Sequence, residues 1–252
     1  QTNNIGARGD EKVNISHLKL HNKYVFFGDS FTFGWYLKEN ETLPEHFRYI
    51  MNLSQNQVIN YAGWGHGLDD MIEGYNYNNE LFIEKDVFFL VVIEDDFARE
   101  MKPDKNILIK TYRTIRRHSS FLSYITQKMG PIIMGIKNKK IESIKTNVSS
   151  FNQESKEKIL NFEKNLSKNN QTLLLVAYDF TGQDFTEGYL TRIKEFCRTN
   201  KLYCLTNIPE LTNNLSKEEK VCIDGGHPSS LSNLKVAEGL IEFINKQNLT
   251  IK

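Results

Sequence analysis

Two uninterrupted apolar runs, "DVFFLVVI" at 86–93 and "TLLLVAY" at 172–178, constrain this chain more than any other feature. A strand with one wet face alternates apolar and polar residues. A strand that is apolar at every position needs cover on both faces, which is the situation of a parallel sheet sandwiched between helices. Shorter runs of the same kind are "YVFF" (24–27), "QVIN" (57–60) and "LYCLT" (202–206). Between them, "TLPEHFRYIMNL", "SKEKILNFEKNLSK", "DFTEGYLTRIKEFCRTN" and "SSLSNLKVAEGLIEFINK" repeat apolar residues at helical spacing. The first of these has Thr42 and Glu45 at the spacing of a capping box, with Pro44 in the first turn.

Strand and helix therefore alternate, which predicts an α/β domain of three layers, α/β/α, around a mainly parallel sheet of about five strands. We expect residues 1–22 to form a polar, extended lead-in and residues 23–252 to form the domain. The stretch from 100 to 160 is the least regular. A helix is expected over "TYRTIRRHSSFLSYITQ", a short strand or cover loop at "GPIIMGI", and a solvated face at "KNKKIESIK" (137–145).

The chain has 252 residues, of which 39% are hydrophobic and 25% charged, enough for one full core. A net charge of +1 favours neither nucleic acid nor a membrane surface as partner. No apolar stretch reaches the roughly 18 residues that span a bilayer. Cys197, Cys204 and Cys222 are too few and too irregularly spaced for a zinc site or a disulfide framework, and at most one pair can bridge. The first residue is Gln1 rather than Met, so a signal or anchor segment is expected upstream.

In such a sheet, functional groups collect beyond the carboxyl ends of the strands, and four features fall there. Gly28-Asp29-Ser30 follows the first strand, and a helix starting at Ser30 aims its free N–H groups above the hydroxyl. "NYAGWGHGLDD" follows the second strand, with glycines that permit close approach and a free amide at Gly65. "VVIEDDF" ends the third with Glu94, Asp95 and Asp96, which suit acid–base work or a solvated tip; without a companion His or Cys cluster, no metal is predicted. "DGGHPSSLSN" places Asp224 three residues before His227, and a turn at Gly225-Gly226 folds the carboxylate onto the imidazole. The bland alternatives are a helix cap at Asp29 or Ser30, a flexible loop at 61–67 and a structural histidine at 227.

Taken in order, "GDSFTFG", "NYAGWGHG" and "DGGHPS" resemble the blocks of the GDSL or SGNH hydrolase superfamily, and the resemblance spans residues 23 to 245. It implies the flavodoxin-like SGNH hydrolase fold and a serine esterase without a cofactor. Ser30 would be the nucleophile, His227 the general base and Asp224 its orienting partner. The amides of Ser30 and Gly65 would supply the oxyanion hole, together with Asp95 at the position of the family's Asn. That position is a departure, because a carboxylate donates no hydrogen bond unless protonated. If Asp95 lay buried beside Glu94 and Asp96, its protonation would be favoured.

The lead-in "NNIGARGDE" also looks like the segment preceding the catalytic block in bacterial members that are exported or tethered, with a cytoplasmic location the alternative. The expected partner is an acylated small molecule or a glycan. An O-acyltransferase acting on a cell-surface glycan and a glycan-binding domain without turnover are the competing functions. Trp35, Tyr36, Trp64, Tyr75 and Tyr77 are candidate sugar-stacking rings in all three cases, against ordinary packing.

Overall fold

A computed structural model of the chain describes residues 2–9, 13–99, 151–178 and 188–251. The segments expected at "TYRTIRRHSSFLSYITQ", "GPIIMGI" and "KNKKIESIK" lie outside the described residues.

Five strands form one sheet in the order β2-β1-β3-β4-β5. They are β1 (Tyr24–Phe27), β2 (Val58–Asn60), β3 (Val87–Val92), β4 (Thr172–Ala177) and β5 (Tyr203–Leu205). Every pairing is parallel. The described helices are α1 (Ile15–Leu18), α2 (Ser30–Phe33), α3 (Leu43–Ile50), α4 (Leu68–Asn78), α5 (Gln153–Lys168), α6 (Tyr189–Asn200), α7 (Ile208–Leu211), α8 (Lys217–Lys220) and α9 (Ser230–Gln247).

Alternate residues of each strand feed two separate cores. Val25, Phe27, Phe88, Leu90, Leu173 and Leu175 pack with residues of α4, α5 and α6, among them Met71, Phe162 and Ile193. Tyr24, Phe26, Phe89, Val91, Leu174 and Val176 pack with α3 and α9 through residues such as Phe47 and Leu240. Both faces of β3 and β4 are therefore dry, which is why their sequences are apolar without alternation.

The strands are shorter than their apolar runs for local reasons. The Asp86 amide turns back to the Ile83 carbonyl (3.3 Å) while its carboxylate accepts from the Lys23 amide (2.8 Å), and Ile93 gives its N–H to the Asp96 carboxylate (2.9 Å). Gln57 belongs to a 3₁₀ turn, Gln55–Gln57, ahead of β2.

The Thr42–Glu45 capping box does not form. A 3₁₀ turn at Glu39–Glu41 precedes the helix and draws the Thr42 hydroxyl back to the Glu39 carbonyl (3.0 Å). Glu45 instead pairs with Arg48 (2.9 Å).

The lead-in carries α1 and contributes Ile5, Ala7 and Leu18 to the core. An Asn3 side chain that accepts from the amides of Ile5 (3.2 Å) and Ala7 (3.1 Å) shapes its first turn. Cys197 of α6 and Cys204 of β5 form a disulfide, with Cα atoms 6.2 Å apart, and Cys222 is free.

At the amino edge of the sheet, the Lys23 ammonium and Asp86 carboxylate meet at 3.0 Å with both side chains fully buried. Lys23 Nζ also donates to the carbonyls of Leu18 (2.9 Å) and His21 (3.2 Å), tying α1 to β1. Burial lowers the Lys23 pKa and raises that of Asp86, while each charge opposes the effect of burial on the other. Deleting one partner strands the other in a dry site. We expect Asp86→Ala to lower stability by about 3–5 kcal/mol, measured by urea unfolding. A loss below about 1 kcal/mol, the worth of an exposed pair, would show that water reaches Lys23.

Candidate active site

β1 is the strand at which the sheet order reverses, with β2 on one side and β3 on the other. A crevice beyond its carboxyl end is where doubly wound sheets place ligands. The chain leaves β1 through Gly28, which has no room for a side chain. A Cβ there would lie 2.2 Å from Thr32 Oγ1 and 3.1 Å from the Val91 carbonyl oxygen. Asp29 then caps α2, its Oδ1 accepting from the Phe31 amide at 2.8 Å. Ser30 follows as the first helical residue, buried. The cap and the hydroxyl are therefore both present, and the two readings of this turn are compatible.

His227 arrives from the far end of the chain. Val221 and Pro228 form an isolated antiparallel bridge, and the Cys222 amide donates to the His227 carbonyl at 2.7 Å. Inside this clasp Gly225 adopts φ +71°, which a residue with a side chain adopts only with strain. The turn folds Asp224 back, so that its Oδ1 accepts from the amides of Gly226 (3.3 Å) and His227 (3.2 Å). Its Oδ2 takes the His227 Nδ1–H in a short hydrogen bond.

With that tautomer, assigned from the network, Nε2 carries a lone pair directed at Ser30 Oγ, 2.9 Å away. Desolvation would raise the Asp224 pKa, but hydrogen bonds from the His227 ring and from the His227 and Gly226 amides outweigh it. The carboxyl is held below its ordinary range. Asp224 thus stays anionic well into acid. Ser30, His227 and Asp224, which are 197 residues apart at the extremes, are brought together as the sequence predicts.

The loop after β2 is fastened by the Gly63 amide on the Gly28 carbonyl (3.0 Å). Gly65, exposed and at φ +69°, stands at its turn. Among the described residues, the amides of Ser30 and Gly65 have no protein acceptor.

The three acids after β3 diverge. Glu94 is buried and pairs with Arg192 (3.1 Å), Asp96 is buried and pairs with Arg99 (2.7 Å), and Asp95 is exposed. The condition under which Asp95 would be held protonated, burial beside its neighbours, is therefore not met. The 3₁₀ turn Glu94–Phe97 rotates it outward, and the acid that burial drives well above the ordinary carboxylate range is Asp96.

The five aromatic candidates also separate. Trp35 stacks on Trp64 with ring centroids 5.3 Å apart and planes at 19°. Tyr36 sets its ring edge-on to His227 at 5.7 Å, and Phe31 packs on the same imidazole at 5.3 Å. Tyr36 is 60% exposed and Trp64 46%. Tyr75 is instead a core residue, its hydroxyl donating to Gln171 (2.9 Å) and its ring stacked on Phe82. Tyr77 is on the exposed side of the same helix. Helical phase decides this, since Tyr75 and Tyr77 differ by about 200° around the axis.

Two arginines are not among the site candidates read from the sequence, although Arg8 lies within "NNIGARGDE". Arg99 donates to both Asp29 (3.0 Å) and Asp96 (2.7 Å), and Arg8 of the lead-in donates to the carbonyls of Gly34 (2.8 Å) and Leu37 (2.7 Å). The only sequence signal for Arg99 is its spacing of three from Asp96.

This architecture is the fold of the G-D-S-L, or SGNH, hydrolases. A G-D-S-L family protein from Desulfitobacterium hafniense superposes with a TM-score of 0.56 at 14% identity, covering 88% of this chain and 99% of that one. A member of the lipolytic G-D-S-L family from Veillonella parvula gives 0.55 at 12% identity, covering 89% and 98%. The esterase EstA from a Pseudoalteromonas species, in a structure inhibited by monoethylphosphonate, gives 0.55 at 10%, covering 91% and 100%. No protein-family model and no curated protein matches the sequence.

Asp224→Asn tests whether the imidazole depends on this carboxylate. An amide in its place favours the wrong tautomer, and we expect turnover of an aryl ester to fall about 10³–10⁴-fold with the fold unchanged. A loss under tenfold would mean that Nδ1 is oriented by another group.

Proposed function

We propose that this chain is a serine esterase that removes a small acyl group from a carbohydrate through a covalent acyl-enzyme. The observation that carries the reading is the Ser30–His227–Asp224 relay, with Oγ 2.9 Å from Nε2 and Nδ1–H on the carboxylate.

In the first half-reaction the Ser30 Oγ–H proton passes to Nε2 as Oγ bonds to the ester carbonyl carbon. The tetrahedral oxyanion takes hydrogen bonds from the Ser30 and Gly65 amides, which have no protein acceptor among the described residues. Asp224 stabilises the imidazolium. Nε2–H then protonates the departing alkoxide as the ester C–O bond breaks. In the second half water attacks the acyl carbon and gives its proton to Nε2, and Nε2–H then returns a proton to Ser30 Oγ as the Oγ–C bond breaks and the carboxylic acid leaves. Asp95, exposed and a carboxylate, is left out as a donor. With one fewer oxyanion donor than the resemblance implies, the enzyme is expected to be slow, since such a donor is typically worth about 10²–10³ in kcat.

The chain of rings that runs from His227 through Tyr36 and Trp35 to Trp64 supports a carbohydrate substrate. A pyranose presents a flat face of C–H groups that suits an open aromatic surface, and Trp64 and Tyr36 are both open. The same surface would hold a sugar acceptor, so O-acyl transfer to a cell-surface glycan is the second reading. The Cys197–Cys204 disulfide supports an exported or surface-tethered protein, because such bonds persist in oxidising compartments. Among the described residues, no helix is long and apolar enough to cross a membrane.

Incubation with an activated alkylphosphonate should add one phosphonyl group at Ser30, seen by intact mass and peptide mapping. Ser30→Ala should lose both the adduct and p-nitrophenyl acetate turnover. Equal turnover at matched circular dichroism would make the serine a cap only. Decay of an acetyl-enzyme that quickens on adding deacetylated glycan would favour transfer, and decay indifferent to glycan favours hydrolysis.

Trp64→Ala should raise KM for an acetylated oligosaccharide about five- to tenfold, the ~1–1.5 kcal/mol of a ring contact. The KM for p-nitrophenyl acetate should stay near parental. An equal effect on both substrates would remove the sugar-stacking role.

A further inference from the structure

Arg99 reaches the ends of three strands with one nitrogen. Its Nη1 donates to Asp29 Oδ2 (3.0 Å) in the turn after β1 and to the His66 carbonyl (3.3 Å) in the loop after β2. It also donates to Asp96 Oδ1 (2.7 Å) in the turn after β3. The β2 loop is seated tightly here, since a Cβ on Gly67 would lie 2.3 Å from the Arg99 carbonyl oxygen. Both carboxylates are buried, and the guanidinium is one-third exposed.

Asp29 uses its two oxygens differently. Oδ1 caps α2, whereas Oδ2 takes the Arg99 hydrogen bond and lies 3.4 Å from Ser30 Oγ. The Ser30 hydroxyl therefore has two possible acceptors for one proton, Asp29 Oδ2 and His227 Nε2 at 2.9 Å. Only the second leads to attack. A bare carboxylate at the first would hold the proton and repel the charge that develops on the tetrahedral intermediate.

We propose that Arg99 is a positioning residue for this reaction: it neutralises the Asp29 carboxylate beneath the nucleophile, directs the Ser30 hydroxyl to His227 and locks the three strand-end loops in register. The proposal rests on the reading of Ser30 as nucleophile. Among the described residues, Arg99 is the cation paired with both carboxylates. Burial and the Asp29 charge push the Asp96 carboxyl up, Asp95 adds to this, and Arg99 opposes it. Burial lowers the pKa of His66, with Asp70 and Asp29 opposing and Arg99 adding to the effect, so the imidazole is disfavoured as a replacement cation.

The experiment compares parent, Arg99→Met and Arg99→Gln, each well below its melting midpoint. It measures p-nitrophenyl acetate kinetics and the rate of Ser30 phosphonylation by a p-nitrophenyl alkylphosphonate, with and without methylguanidinium. We expect Arg99→Met to lower kcat and the labelling rate about 10²-fold, the scale set by small misplacement of a reacting group. KM should be little changed, and methylguanidinium should restore part of the loss. Arg99→Gln, which keeps a donor but no charge, should be slow as well, and it carries the test if the methionine variant does not fold.

Parental labelling rates in either folded variant would overturn the proposal while leaving Ser30 as nucleophile. A loss that merely follows the unfolded fraction and ignores methylguanidinium would also overturn it, by making Arg99 structural. Failure of the parent itself to label at Ser30 would instead sink the esterase reading.

Discussion

The reversal of strand order at β1 is the constraint on which the rest of the molecule depends. Because β2 and β3 flank β1, the segments leaving all three strands must diverge, and they open a crevice above the central one. Ser30 stands in that crevice because β1 is only four residues long and is followed by a glycine that Thr32 and Val91 leave no room to enlarge. The hydrophobic effect sets this arrangement at a distance. Each strand residue is committed to one of two dry cores, so slipping β1 by one residue would exchange Phe26 and Phe27 between them. The height of Ser30 above the sheet is therefore fixed by packing tens of residues away, and not by the Gly-Asp-Ser turn alone.

Charge is buried at both edges of the same strand, with different consequences. At the amino edge, Lys23 and Asp86 satisfy one another and several backbone groups, and the group is closed to water. A pair of that kind contributes little net stability compared with an apolar substitute, but it is costly to break. At the carboxyl edge, Asp29 and Asp96 share a partly exposed arginine, and among the described residues of this cluster the acids outnumber the base. The imbalance lies beside the Ser30 hydroxyl, 3.4 Å from Asp29 Oδ2. The closed pair reads as architecture, and the open one reads as part of the site.

Much of this was legible in the residues. Runs apolar at every position specify a sandwiched parallel sheet because no other environment accepts them, and the strands of "DVFFLVVI" and "TLLLVAY" form as that argument requires. Ser30, Asp224 and His227 were readable because each sits in a short pattern whose local geometry is nearly self-determined: a cap, a glycine turn, a carboxylate three residues before an imidazole.

What escaped depends on long-range contact or on a single residue of phase. Asp95 and Asp96 differ in exposure only because a strand gives way to a 3₁₀ turn between Val92 and Glu94, a boundary that composition does not mark. Tyr75 and Trp64 were equal as aromatics, yet one lies within a helix's buried stripe and the other on a glycine loop. Arg99 carries no motif, and Arg8 lies in the "NNIGARGDE" segment without being marked out there; the importance of both appears only when the loops they join are in place.

Arg8 shows how the lead-in bears on the site. Tyr36, whose ring rests on His227, has φ +72°, a conformation that costs a non-glycine residue on the order of 1–3 kcal/mol. Such a residue persists only where its surroundings over-determine it. Here the Gly34 and Trp35 amides both close onto the Ser30 carbonyl, and the Leu37 amide closes onto Gly34. The Arg8 guanidinium, lying over the Phe33 ring, then grips the carbonyls of Gly34 and Leu37 from outside. Arg8 is held in turn by its own amide on the Asn60 carbonyl at the end of β2. The strained tyrosine is thus paid for by hydrogen bonds anchored in the lead-in and the sheet. A polar segment ahead of the first strand thereby becomes a structural element of the mouth of the site, because its arginine holds, together with the Trp35–Trp64 stack, the loop that carries Tyr36 to the imidazole.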